Sequence, residues 1–242
     1  MNVIIFGPPG AGKGTQAEFI VRKFNLFKLS TGDLLREEIK KKSSLGIKIT
    51  SIVNSGSLVS DEIIKSLIEN IVSNKDYKNR MIFDGYPRNL SQAENLNKLL
   101  LKYEQKPDLV IRLKVSLNVI KKRITGRMLC FKCGKTYNEF FNPPPIDSTC
   151  CQKEFLTKRD DDNVNVAIKR FETYEESTEP VLEFYNKMNL VKDVNGEADI
   201  NVIYGEISSF LNVIEGWLYI ITPYNYVFKN LYSINYGPNS RN

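Results

Sequence analysis

The apolar run Asn2-Val3-Ile4-Ile5-Phe6 opens directly into Gly7-Pro8-Pro9-Gly10-Ala11-Gly12-Lys13, which fills the pattern G-x-x-x-x-G-K. A loop of this composition functions where a buried strand ends and a helix begins. Its glycines let backbone N–H groups turn inward around phosphate oxygens. The helix N-terminus adds its positive end, and Lys13 supplies a mobile cation for β- and γ-phosphates. Ala17, Phe19, Ile20 and Phe24 follow at helical spacing and predict a helix from Thr15 to Phe24. Further short apolar runs, Phe27-Lys28-Leu29, Met81-Ile82-Phe83, Leu109 to Leu113 and Leu190-Val191, are separated by segments of helical period. Strands alternating with helices predict an α/β, three-layer fold around a five-stranded parallel sheet.

Two stretches interrupt this alternation. Thr31 to Glu69 carries helical patterning with turn punctuation at Asn54-Ser55-Gly56. Gly126 to Asp162 gathers all four cysteines, Tyr137, Phe140, Phe141 and Pro143-Pro144-Pro145, which suits a small β-rich module or lid. The expected division is a core of 1–29, 60–125 and 163–214, a helical insertion at 30–59 and a lid at 126–162. A C-terminal extension at 215–242 is crowded with Trp217, Tyr219, Tyr224, Tyr226, Phe228, Tyr232 and Tyr236, and its role is not readable.

Composition narrows the chemistry. The chain has 242 residues and no histidine, so Ser-His-Asp, Cys-His and His-ligated zinc schemes are excluded together. A net charge of +6 suits small phosphorylated ligands and is too modest to imply nucleic acid. No apolar run approaches the roughly 20 residues that cross a bilayer, and no basic leader precedes the first strand. A monomer in the cytoplasm, or in an organelle, and without membrane partners is expected. The residue after Lys13 is Gly14, with the hydroxyl displaced to Thr15. Magnesium is therefore expected to be held mainly through water, with Asp84 at a strand end accepting from those waters.

Several motifs in one order sharpen the reading: Gly7 to Gln16, Leu29 to Arg36, Leu58 to Glu62, Phe83 to Arg88 with Gln92, Gly126-Arg127, and Arg159 to Asp162 with Arg170. In this order, and over about residues 1 to 213, the chain resembles the adenylate kinases of long-lid form. That resemblance implies reversible transfer from MgATP to AMP, direct and in line, in a cavity closed by the lid and the monophosphate module. It implies that Lys13, Arg88, Arg123, Arg159 and Arg170 surround the migrating phosphoryl group. Gly10, Ala11, Gly12, Lys13, Gly14, Thr15, Arg123, Arg127 and Tyr137 would hold ATP. Thr31, Arg36, Ser57, Leu58, Val59, Gly85, Arg88, Gln92, Arg159 and Arg170 would hold AMP. Arginine suits such a task because its planar fork grips phosphate oxygens bidentately and keeps its charge. Thr31 favours AMP over UMP or CMP. A GTP:AMP phosphotransferase is the nearest alternative, and a non-catalytic nucleotide- or nucleic-acid-binding zinc-ribbon protein the distant one.

Cys130-x₂-Cys133 is half of a zinc knuckle, but Cys150 and Cys151 are adjacent and would point opposite ways in an extended strand. Three readings stand: structural zinc on all four through a local kink, zinc on three cysteines completed by Asp147 or Glu154, or no metal. Such a site would staple a module with little core and would not take part in catalysis.

Overall fold

The computed structural model describes residues 1–42, 44–54, 59–159 and 162–216. Strand β1 (Asn2–Phe6) leads through the glycine loop to α1 (Lys13–Phe24), and β2 (Phe27–Ser30) is followed by α2 (Thr31–Lys40), α3 (Ser44–Asn54) and α4 (Asp61–Val72). Next come β3 (Met81–Asp84), α5 (Leu90–Lys102), β4 (Leu109–Lys114) and α6 (Leu117–Thr125). Three short strands, β5 (Arg127–Cys130), β6 (Thr136–Asn138) and β7 (Leu156–Thr157), precede α7 (Val164–Thr173). A π-helical turn, Tyr174–Thr178, joins α7 to α8 (Glu179–Asn186), and β8 (Val191–Asn195) leads into the last helix, α9 (200–216).

The main sheet is parallel and five-stranded, as the alternating pattern predicts, and its strands stand in the order β2-β3-β1-β4-β8. Every residue of β1 is buried, which is the condition of a parallel strand covered by helices on both faces. The period of two divides the core accordingly. Ile4 and Phe6 pack with Phe83, Val110, Leu96 and Tyr185 on one side. Val3 and Ile5 pack with Ala17 and Ile20 of α1 and Ile203 and Ile207 of α9 on the other. At the amino end of the sheet Asn2 is wholly buried but satisfied. Its amide donates to Gln105 Oε1 and the Lys106 carbonyl, and its Oδ1 accepts from the Met81 N–H.

Two boundaries differ from the sequence reading. Helix α1 begins at Lys13, because Gly12, at φ 97, lets the chain turn into the helix two residues before Thr15. Strand β8 runs on to Asn195, past Leu190-Val191, because at the sheet edge it can expose Lys192 and Asp193 while burying Val194. Residues 127–157 form an antiparallel sheet of order β6-β5-β7, with Met128 opposite Tyr137 and Arg127 opposite Asn138. The extension from Trp217 lies outside the described residues.

Candidate active site

The phosphate loop, Thr31, and Asp84 with Gly85 stand at or just beyond the carboxyl ends of β1, β2 and β3, where open α/β sheets present their ligands. Gly10 and Gly12 adopt left-handed φ of 83 and 97. An added Cβ on Gly10 would come within 3.0 Å of Ile124, so the loop needs glycine there for both conformation and space. Helix α1 has no side-chain cap, whereas Ser30, Asn89 and Asn163 cap α2, α5 and α7. Its first-turn N–H groups thus remain available to an anion. Lys13 Nζ curls back to donate to the carbonyls of Gly7 (2.6 Å) and Pro8 (3.0 Å). Burial above all, opposed by Asp84 and aided by Arg88 and Arg127, holds this ammonium down at about 8.

On the β2–β3 side the backbone holds the predicted monophosphate residues close together. Thr31 Oγ1 donates to the Gly85 carbonyl at 2.8 Å, and Arg88 Nε donates to the same oxygen at 2.7 Å. Gly85, at φ 78, could not carry a Cβ without pressing on both side chains at 3.1 Å. Gln92 is buried; its Oε1 accepts from the Arg88 N–H at 2.7 Å and its amide donates to Asp61 Oδ1 at 2.6 Å. Arg36 is tied to Asp33 one turn away. Burial lowers the Arg88 guanidinium from its usual value, and so do Arg170 and Arg36, while Asp84 opposes them. Val59 packs into the core, and Ser57 and Leu58 lie outside the described residues.

The lid side is anchored over the loop by Arg123, whose guanidinium donates to the Ala11 carbonyl at 3.1 Å and lies 5.2 Å from the centre of the Phe141 ring. Asn138 Nδ2 in turn donates to the Arg123 carbonyl at 2.7 Å. Arg127, at the start of β5, is paired with the buried Asp162 carboxylate at 3.1 Å. Arg159 is half-buried just after β7, with its Nε shielded from solvent. Tyr137 makes a contact that the sequence reading did not include: its hydroxyl donates to Cys151 Sγ at 3.1 Å, so the polar end of the ring faces the cysteines.

All four cysteine sulfurs lie within 4.8 Å of one another, and Cys133 Sγ is 3.5 Å from Cys151 Sγ. Adjacent residues manage this because the chain bends through 149–151 instead of extending, with the Cys151 N–H donating to Ser148 Oγ at 3.0 Å. Four thiolates on a tetrahedral zinc at about 2.3 Å stand ~3.8 Å apart, so the cluster fits that ion with a small contraction. Asp147 and Glu154 are not members of the cluster.

Several participants were missed. Lys28 on β2 lies 3.8 Å from Asp33 and 3.9 Å from Glu18, and a Cβ on Gly14 would stand 3.9 Å from it and 3.7 Å from Asp84 Oδ2. Its parity on a four-residue strand was the available signal, but only strand order brings it beside the loop. Asp61 and Asp162 stood within quoted motifs without roles; each is the carboxylate partner of a predicted binding residue.

A sequence profile described as adenylate kinase matches residues 5–190. The chain is 49% identical over 213 residues to an adenylate kinase of Pelagibacter ubique strain HTCC1062, covering 88% of this chain and all of that protein. It is 40% identical over 214 residues to one of Methanothrix thermoacetophila, covering 88% and 99% of the two chains. It is 38% identical over 213 residues to one of Clostridium botulinum strain Langeland, covering 87% and 98%.

Proposed function

The chain belongs to the adenylate kinase family and is a nucleoside monophosphate kinase acting on ATP and AMP, and from this premise we propose how its residues divide the work. The observation that carries the assignment is electrostatic. Lys13 feels Arg88 and Arg127, Arg88 feels Arg36 and Arg170, and Asp84 is the carboxylate both respond to. Cations held this close repel one another until a polyanion arrives, so the free site is poised for two phosphate chains.

In this reading Gly10 to Thr15 cradle the triphosphate with backbone N–H groups and Lys13 exchanges the Gly7 and Pro8 carbonyls for phosphate oxygens. Arg123 and Arg127 close over ATP from the lid side. Thr31, Arg36, Gly85, Arg88 and Gln92 hold AMP, with backbone at 57–59, and Arg159 and Arg170 reach both phosphate groups. The protein aligns donor and acceptor oxygens in line and surrounds the charge that develops, which is most of what phosphoryl transfer requires. Asp84, whose Oδ2 would stand 3.7 Å from a Cβ on Gly14, is a hard-oxygen acceptor suited to magnesium's waters. Mg²⁺ held there with ATP would supply positive charge that offsets the phosphates' own. The modules at 30–59 and 126–162 would close over the site and exclude water. The protein is proposed to act as a monomer.

The four cysteines are proposed as a structural zinc site that holds the small lid sheet together, away from the reacting atoms.

Steady-state ADP formation tests the reading, with MgATP or MgGTP as donor and AMP, UMP, CMP or GMP as acceptor. Turnover confined to MgATP with AMP is expected. Faster turnover with MgGTP would reassign the donor.

A further inference from the structure

The hydroxyl of Tyr137 donates to Cys151 Sγ in the cysteine cluster, and we propose that it is an outer-sphere positioning residue of the metal site, holding the Cys151 sulfur; this rests on the zinc reading above. Four thiolates around a dication leave a net negative centre, and donors outside the first shell offset that charge and fix each ligand's direction. Cys151 is where such help is needed. It follows Cys150 directly, so its sulfur reaches the cluster only through the bend at 149–151. The backbone part of that bend is held by Ser148 Oγ at 3.0 Å, and the side-chain part by the Tyr137 hydroxyl at 3.1 Å.

The same residue links the metal to the phosphate loop. Tyr137 is held in β6 opposite Met128, and its neighbour Asn138 donates to the carbonyl of Arg123, whose guanidinium bonds Ala11. A sulfur fixed by Tyr137 therefore fixes the strand that supports the end of α6, and zinc occupancy is felt as the placement of Arg123.

The full chain, stripped of metal and reduced, is titrated with Zn²⁺ against a chromophoric chelator, as wild type and as Tyr137→Phe. The expected result is one tightly held zinc in the wild type and a 10- to 100-fold weaker site in Y137F. In the Co²⁺-loaded proteins, the thiolate-to-cobalt charge-transfer band of Y137F should move to longer wavelength, because a sulfur without its donor is more electron-rich. Equal affinity and an unmoved band would overturn the role of Tyr137 and leave the metal site standing. A reduced wild type that takes up no zinc would overturn both. Should Y137F lose its lid structure, the wild type alone decides: the Tyr137 ring-carbon resonance must move on zinc loading, and a stationary resonance refutes the contact.

Discussion

Lys13 shows how a single side chain is prepared for its ligand. In the free protein its ammonium bonds two carbonyls of its own loop and sits, by burial, at about 8. The protonated form is thus destabilised in the folded state at all pH values below that, and the penalty fades as pH rises from about 8 toward 10.5, the ordinary value. Lys13→Met is expected to lower kcat by at least ~10²-fold while leaving the nucleotide-free Tm unchanged or slightly raised; a matching loss of Tm would show a structural role instead. For the wild type, kcat/KM for MgATP should fall as pH rises through about 8, whereas kcat should hold to higher pH because bound phosphate restores the ammonium; initial rates from pH 6.5 to 9.5 decide this. Arg88→Ala should likewise cost at least ~10²-fold in kcat. The place of Lys13 in the loop that opens α1 was legible because the glycine motif fixes its spacing. Lys28 was not, since nothing local in Phe27-Lys28-Leu29 places it beside Gly14, and neither was the contact of Tyr137 with Cys151, which lies fourteen residues away in sequence.

Among the elements, α2 and α3 meet at Gly46, where an added Cβ would fall 2.5 Å from the Glu38 carbonyl oxygen. Gly46→Ala must push the helices apart, at a cost of about 1–3 kcal/mol, and should raise KM for AMP several-fold with KM for ATP little changed; unaltered melting and kinetics would refute the close crossing. At the other edge of the sheet, Arg112 of β4 grips Asp193 of β8 with Nε at 2.6 Å and a second nitrogen at 2.7 Å, and also pairs with Glu179. The fork holds the Asp193 carboxyl down to about 2. Its contribution is full above the ordinary carboxylate value near 3.8 and disappears as pH falls through about 2. Asp193→Asn should therefore lose about 1 kcal/mol at pH 7, the discount reflecting a partly exposed pair, and melt like wild type below about pH 2. The apolar runs located every strand of the main sheet, but β8 was only half visible. Its outer residues are held by such polar clasps, which hydrophobic periodicity does not register.

At the scale of the whole molecule, one sheet supplies the phosphate loop and the Thr31–Gly85 contact from the ends of adjacent strands. The order β2-β3-β1-β4-β8 was inferable in class because each run was followed by a helix, whereas the convergence of Cys150 and Cys151 depends on a bend that no residue preference announces. Helix α9 already closes the core with Ile203, Ile207 and Leu211 buried. A chain truncated after Gly216 should accordingly keep its Tm and turnover, and a large loss of either would mean that the aromatic extension packs on the core. The remaining consequence lies in the clasp between Arg127 and Asp162, which brings the departing and returning ends of the lid to within one ion pair. A module that leaves and rejoins its host at a single point is a cassette. Evolution, or an engineer, can replace four cysteines and their strands with another way of stiffening 128–157 while the graft junction, and Arg159 beside it, are kept.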